Sequence, residues 1–289
     1  MLEFGEKLTV IPSAMSAGDV IPLRAAGFAD REIVAITAAA AYRNFITRVA
    51  DGLGVELGQH GGGYYDPAVL SAFGVTEAAV GGTLYSDRER SISDAKKDWA
   101  RVIFSRQRPD DSRACWIDTA EQSAIWDAPA DFRNLAPALS LKPDTLAATV
   151  EFASLIDRDG SGLGARIKSV IGLTVAATAG LSYLGAHHAQ HLLDSGATPR
   201  ELRILIDNPA DAALDPRERE VVGFCEKLTC APGTMTCADV EGLRGVGFDD
   251  PAIVTIVAAA AFANYLGRLG AGLGAIPEES LSEPARTAI

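Results

Sequence analysis

Phe4-Gly-Glu-Lys-Leu-Thr9 returns as Phe224-Cys-Glu-Lys-Leu-Thr229, and this repetition decides how the chain is read. The match runs without a gap at a constant offset of 220 residues, from Phe4 to Gly54 and from Phe224 to Gly274, with roughly half of the paired positions identical. Both copies follow one helical grammar. A helix carries the Glu-Lys-Leu block, and Pro12 or Pro232 breaks it. Ser16 or Thr236 then stands three residues before Asp19 or Asp239, a variant of the capping box that opens a second helix. Gly27 or Gly247 closes that helix, where a left-handed residue is wanted. Asp30 or Asp250 is expected to cap a third helix, with Pro251 in its first turn. Its four consecutive alanines, Ala38–Ala41 or Ala258–Ala261, invite close approach of another helix. Asn44 and Arg48, matched by Asn264 and Arg268, follow before Gly-Leu-Gly.

Outward from the repeat, the chain is helical again. Helix starts are expected at Pro143-Asp144-Thr145, Thr198-Pro-Arg-Glu201 and Asp215-Pro-Arg-Glu218, the last two with cap, proline and glutamate in register. A further helix is expected near Asp94–Phe104, beyond the glycine-rich turn Gly61–Gly63. Val170–Ala186 is short of the ~20 residues needed to span a bilayer and reads as one buried core helix. No strand pattern of any length is present, so the fold class is all-α. The organisation follows: 1–57 an N-terminal half-repeat, 58–130 a connecting region, 131–277 a complete domain, 278–289 a frayed tail. The half-repeat should dock against the complete domain as a pseudo-symmetric partner, because its alanine-rich face would otherwise be exposed.

Composition narrows the function. Of the 289 residues 48% are apolar and the net charge is −12, with no Lys/Arg cluster, so no nucleic-acid and no membrane partner is expected. Cys115, Cys225, Cys230 and Cys237 form no Cys-x-x-Cys motif, and the N-terminus is not a signal peptide. They read as free thiols in a cytoplasmic, reducing setting.

Three of the four histidines sit in Gly185-Ala-His-His-Ala-Gln-His191; the fourth, His60, lies in the glycine-rich loop and is assigned nothing. On a helix His187 and His191 share a face with Asp194, and His188 points about 100° away. Three uses stay open: structural histidines on an amphipathic helix, acid/base chemistry by His188, or a metal held by His187, His191 and Asp194.

The Glu-Lys-Leu-Thr, Asp-Val-x-x-Leu-Arg and Asn-x-x-x-Arg blocks, in that order, make residues 131–277 resemble a domain of the alkylhydroperoxidase-D and carboxymuconolactone decarboxylase family, in its peroxidase-related branch; residues 4–57 resemble its C-terminal half again. The resemblance implies an AhpD-like all-helical fold and a homo-oligomer. The family's motif is a glutamate, a Cys-x-x-Cys pair and a histidine. Here Ser169 stands at the glutamate, Leu181 and Leu184 at the cysteines, and His188 at the histidine, with Ser182 and Tyr183 between. Leucine cannot form a thiolate or cycle through a disulfide, so thiol peroxidase chemistry is excluded at this motif. The decarboxylase side of the family implies instead a cofactor-independent lyase or isomerase. It would carry out decarboxylation, elimination, isomerisation or cyclisation of a small-molecule substrate, as in secondary metabolism, without metal or cofactor. His188 would be the acid/base group, with Tyr183, Ser182 and His187 beside it. His191, Leu181, Leu184, Asn264 and Arg268 would contact substrate, Arg268 as a carboxylate clamp unless it only fixes packing. The alternatives are a metal-dependent oxidase or oxygenase and a non-catalytic scaffold.

Overall fold

A computed structural model describes residues 1–55, 115–117, 133–157 and 162–289. The expected helix near Asp94–Phe104, the Gly61–Gly63 turn and His60 lie outside them. The described residues form helices and short 3-10 turns with no strand. The N-terminal segment holds α1 (Leu2–Val10), α2 (Ala17–Ala25) and α3 (Asp30–Leu53). Then come α4 (Ala136–Leu139), α5 (Pro143–Asp157), α6 (Ala165–Ala179), α7 (Ser182–Asp194) and α8 (Pro199–Asp207). The chain ends with α9 (Pro216–Cys230), α10 (Cys237–Gly245), α11 (Asp250–Leu273) and α12 (Glu283–Arg286).

Local sequence sets most of these boundaries. Ser16 and Thr236 begin α2 and α10 with complete capping boxes to Asp19 and Asp239. Each of those aspartates also takes a lysine from the helix before it: Lys7 at 2.7 Å, Lys227 at 2.6 Å. Gly27 and Gly247 close the helices at φ 92° and 88°. The expected cap of the third helix moves by one position. Asp249, not Asp250, accepts from Ala252 N–H, and in the first copy Glu32 reaches back to Ala29 N–H. Asp30 and Asp250 instead receive Arg24 and Arg244.

The two copies meet along α3 and α11, and the contact is reciprocal. A Cβ added at Gly52 would lie 2.8 Å from Val257, with Leu228 next to it; one at Gly272 would lie 2.7 Å from Thr37, beside Leu8. Those partners are themselves 220 residues apart, so each contact has its image, as in an isologous two-fold interface. The polar contacts obey the same rule. Asn44 donates to Thr9 Oγ1 and Asn264 to Thr229 Oγ1, both at 3.1 Å. Arg48 braces on Asn44 and crosses to Thr229 O at 3.0 Å; Arg268 braces on Asn264 and crosses to Thr9 O at 3.1 Å. Arg268 is fully buried and burial pulls its pKa well down, with Arg48 adding repulsion; Arg48 is lowered to about 10. Asn264 and Arg268 therefore do not serve as substrate contacts. The correction has a physical reason: the Asn264 amide and both terminal nitrogens of Arg268 are committed to backbone and side-chain acceptors inside the helix crossing.

Two further expectations change. Val170–Ala186 is not one helix, because Gly180 adopts φ 64° and ends α6 before α7 begins. Nor does the chain fray after Pro277. Ala285 and Ala288 are buried against α6–α8, Ser282 N–H donates to Gln190 at 2.8 Å, and Ile289 packs over Gly185, where a Cβ would collide with it. α11 is long and apolar enough to cross a membrane, but 72% of its most apolar stretch is buried, against α3, α6 and α7 among others.

Truncating Arg268 to alanine empties a filled site and orphans Thr9 O and Asn264 Oδ1. A loss of about 3–5 kcal/mol in urea unfolding is expected. Lys7→Ala, at the more exposed Lys7–Asp19 pair, should lose under about 1 kcal/mol; equal losses would contradict the clamp.

Candidate functional site

α6 and α7 pack as a hairpin around Gly180, and with α5 and α11 they enclose a cavity of about 590 Å³. That lies in the range of roughly 300–1,000 Å³ typical of small-molecule sites. Ile156, Leu184, Phe262 and Leu266 give it apolar walls. Tyr183, His187, His188 and His191 bring polar groups from successive turns of α7, and Ser169 faces in from α6. Asp157, Asp194 and Ser195 are exposed lining residues and mark its mouth, with Lys168 beside them.

His188 lies across Gly172 of α6, so closely that a Cβ there would fall inside the imidazole. The glycine is needed because the backbone of α6 is the surface on which this ring rests. The His188 and His191 rings meet edge to face with centroids 6.0 Å apart. His187 turns elsewhere. Its ring stacks edge-on to Tyr183 at 5.0 Å, and its Nε2 lies 2.7 Å from Glu278 Oε2. Tyr183 Oη donates to Glu278 Oε1 at 2.9 Å, and Asn134 N–H donates to the same oxygen at 2.9 Å. Burial pushes the Glu278 carboxyl up. The close approach and charge of His187, with the Asn134 and Tyr183 donors, outweigh this and hold it below its ordinary value.

The site expected from sequence is thus assembled in part. His187, His188, His191, Tyr183 and Leu184 line the cavity; Ser182 and Leu181 do not. Leu181 is instead packed on Gly267 of α11, where a Cβ would strike it. His187, His191 and Asp194 do not come together as ligands: among the described residues no group of three His, Cys, Asp or Glu side chains could hold a metal ion. The i,i+4 spacing put them on one helix face, but Glu278 draws His187 inward. None of the four cysteines forms a disulfide and none lines the cavity; burial drives the Cys225 thiol far up, away from reactivity. Glu278 was missed because it sits where the chain turns polar after Pro277, and only folding brings it 2.7 Å from a residue 91 positions earlier.

Comparison with known proteins agrees with the sequence reading. Residues 143–227 match the carboxymuconolactone decarboxylase family, and this stretch contains α6, α7 and the histidines. A peroxidase-related protein from Ralstonia eutropha, described as an alkylhydroperoxidase AhpD core, shares the fold at TM-score 0.51 and 24% identity, over 57% of this chain and 93% of its own. One from Silicibacter sp. aligns at TM-score 0.49 and 24% identity, over 51% of this chain and 78% of its own. No curated protein sequence matches the chain.

Two outcomes follow from this geometry. Glycine to alanine inside a helix ordinarily stabilises by about 1 kcal/mol. Gly172→Ala should instead lower the melting temperature and displace the His188 ring in a crystal structure; a more stable protein with an unmoved ring would refute the packing. Glu278, with its pKa depressed in the fold, contributes stability that is present above the ordinary glutamate value of 4.5 and is lost as pH falls through the lower folded value. The urea midpoint of Glu278→Gln should therefore fall below wild type at neutral pH, and the gap should close in acid.

Proposed function

We propose, on the premise of the carboxymuconolactone decarboxylase match and the AhpD-like all-helical fold, that the protein is a cofactor-independent acid/base enzyme for a small organic molecule. The reaction is a decarboxylation, elimination, isomerisation or cyclisation, and His188 moves the proton. One observation carries this reading: a cavity of about 590 Å³ with apolar walls and three imidazoles on one side, at a motif whose cysteine positions hold leucine. Imidazole is the side chain whose ordinary pKa suits proton transfer near neutral pH, and an apolar wall strengthens its electrostatics towards a bound substrate. His188 is held flat on α6 rather than engaged with Glu278, which favours it as the group that meets substrate.

The cavity weighs against a scaffold with a relic motif, since a relic has no reason to keep an unfilled pocket under its histidines. Ser182 and Arg268 leave this reading, as does the direct role of Leu181. In the same proposal the protein works in the cytoplasm as a homo-oligomer. With a substrate found by screening small acids and their esters for non-redox turnover, His188→Ala should lower kcat/KM by about 10²–10⁴-fold. Full activity in that variant would sink the proposal.

A further inference from the structure

Glu278 belongs to no helix and does not line the cavity, yet it is 4% exposed. A carboxylate this buried requires partners, and its oxygens are divided between them. Oε1 accepts from Asn134 N–H and from Tyr183 Oη, and Oε2 faces His187 Nε2. The two side chains it holds stand one turn apart on α7, and both reach the cavity. The segment that carries it is anchored on both sides: Asn134 Nδ2 donates to Ile276 O at 2.9 Å, and Ser282 N–H is held by Gln190.

We propose that Glu278 is a positioning residue of this site, fixing His187 with a proton on Nε2 and Tyr183 with its hydroxyl proton directed at the carboxylate. The inference rests on the acid/base reading above and deepens it. A carboxylate behind an imidazole selects the tautomer, fixes the ring plane and stabilises the ring when it takes up charge. The motif's acidic position is Ser169 in this chain, so the acidic group reaches the histidines from the far end of the chain instead. It engages His187 rather than His188. Tyr183 has one hydroxyl proton, and that proton is given to Glu278, so the ring serves as wall and spacer and not as a donor to an oxyanion.

The test needs no substrate. The full chain is labelled with ¹⁵N-histidine, and His187 is assigned by the signal lost in His187→Gln. In the wild type the Nε2 shift should be that of a protonated nitrogen, bearing a downfield, slowly exchanging proton. In Glu278→Gln that proton signal should be lost and the His187 shifts should move to a tautomer mixture, while circular dichroism and the His188 and His191 signals are kept. An unprotonated Nε2 in the wild type, or unchanged His187 shifts in Glu278→Gln, overturns the proposal. The wild-type measurement decides even if the variant fails to fold. Retained turnover in His188→Ala would remove the acid/base reading and leave these spectra standing; unchanged spectra would remove the role of Glu278 and leave that reading to the turnover assay.

Discussion

Two buried guanidiniums, Arg48 and Arg268, hold the chain together by reaching across to each other's repeat. Each is braced through one terminal nitrogen by an asparagine one turn earlier and reaches with the other to the carbonyl of the opposite threonine. Burying two like charges in one helix crossing is expensive, and the depressed pKa of both records that cost. The arrangement persists because a carbonyl at the end of α1 or in the last turn of α9 has no intrahelical partner to lose. Arginine suits this role better than lysine: its planar fork serves an asparagine and a distant carbonyl at once. Glycine at positions 52 and 272 lets α3 and α11 come close enough for these reaches to be made.

The crossing also places the site. α11, fixed on one side by α3, offers Phe262, Ala263 and Leu266 as the wall opposite the histidines. On the other side α6 and α7 are folded back on each other at Gly180, which turns a run of apolar sequence into two cavity walls. Gly172 and Gly185 show how tightly this hairpin is used, one against His188 and the other against Ile289. The C-terminal segment closes over α7 from outside, and Glu278 enters the core with it. Cavity, histidines and tail are thus one packed unit.

Positions 181 and 184 hold leucine, and the four cysteines lie away from the cavity. The cavity carries three imidazoles and a serine in apolar surroundings, while the Tyr183 hydroxyl at its wall is held by Glu278.

Much of this was legible in the residues. The repeat offset, the capping boxes at Ser16, Thr236, Thr198 and Asp215, and the closing glycines are local signals, acting within a turn or two of the chain, and they gave the helices their order. The histidine cluster that lines the cavity was legible for the same reason: its members are neighbours on one helix. The single-helix reading of Val170–Ala186 failed because hydrophobicity continues through Gly180 while the backbone turns. Whether Arg268 clamps a ligand or fixes packing stayed open in the residues because a sequence shows that a guanidinium is present, not what satisfies it. Glu278 was invisible because nothing local distinguishes a buried glutamate from a solvated one; its partners lie 91 and 95 residues away. The sequence alone determined the helices, the repeat and the absence of a Cys-x-x-Cys pair, since each depends on residues close in the chain. Only the tertiary structure decided which histidine meets a carboxylate, which arginine is used up in packing and where the cavity lies, because those depend on which distant groups folding brings within hydrogen-bond reach.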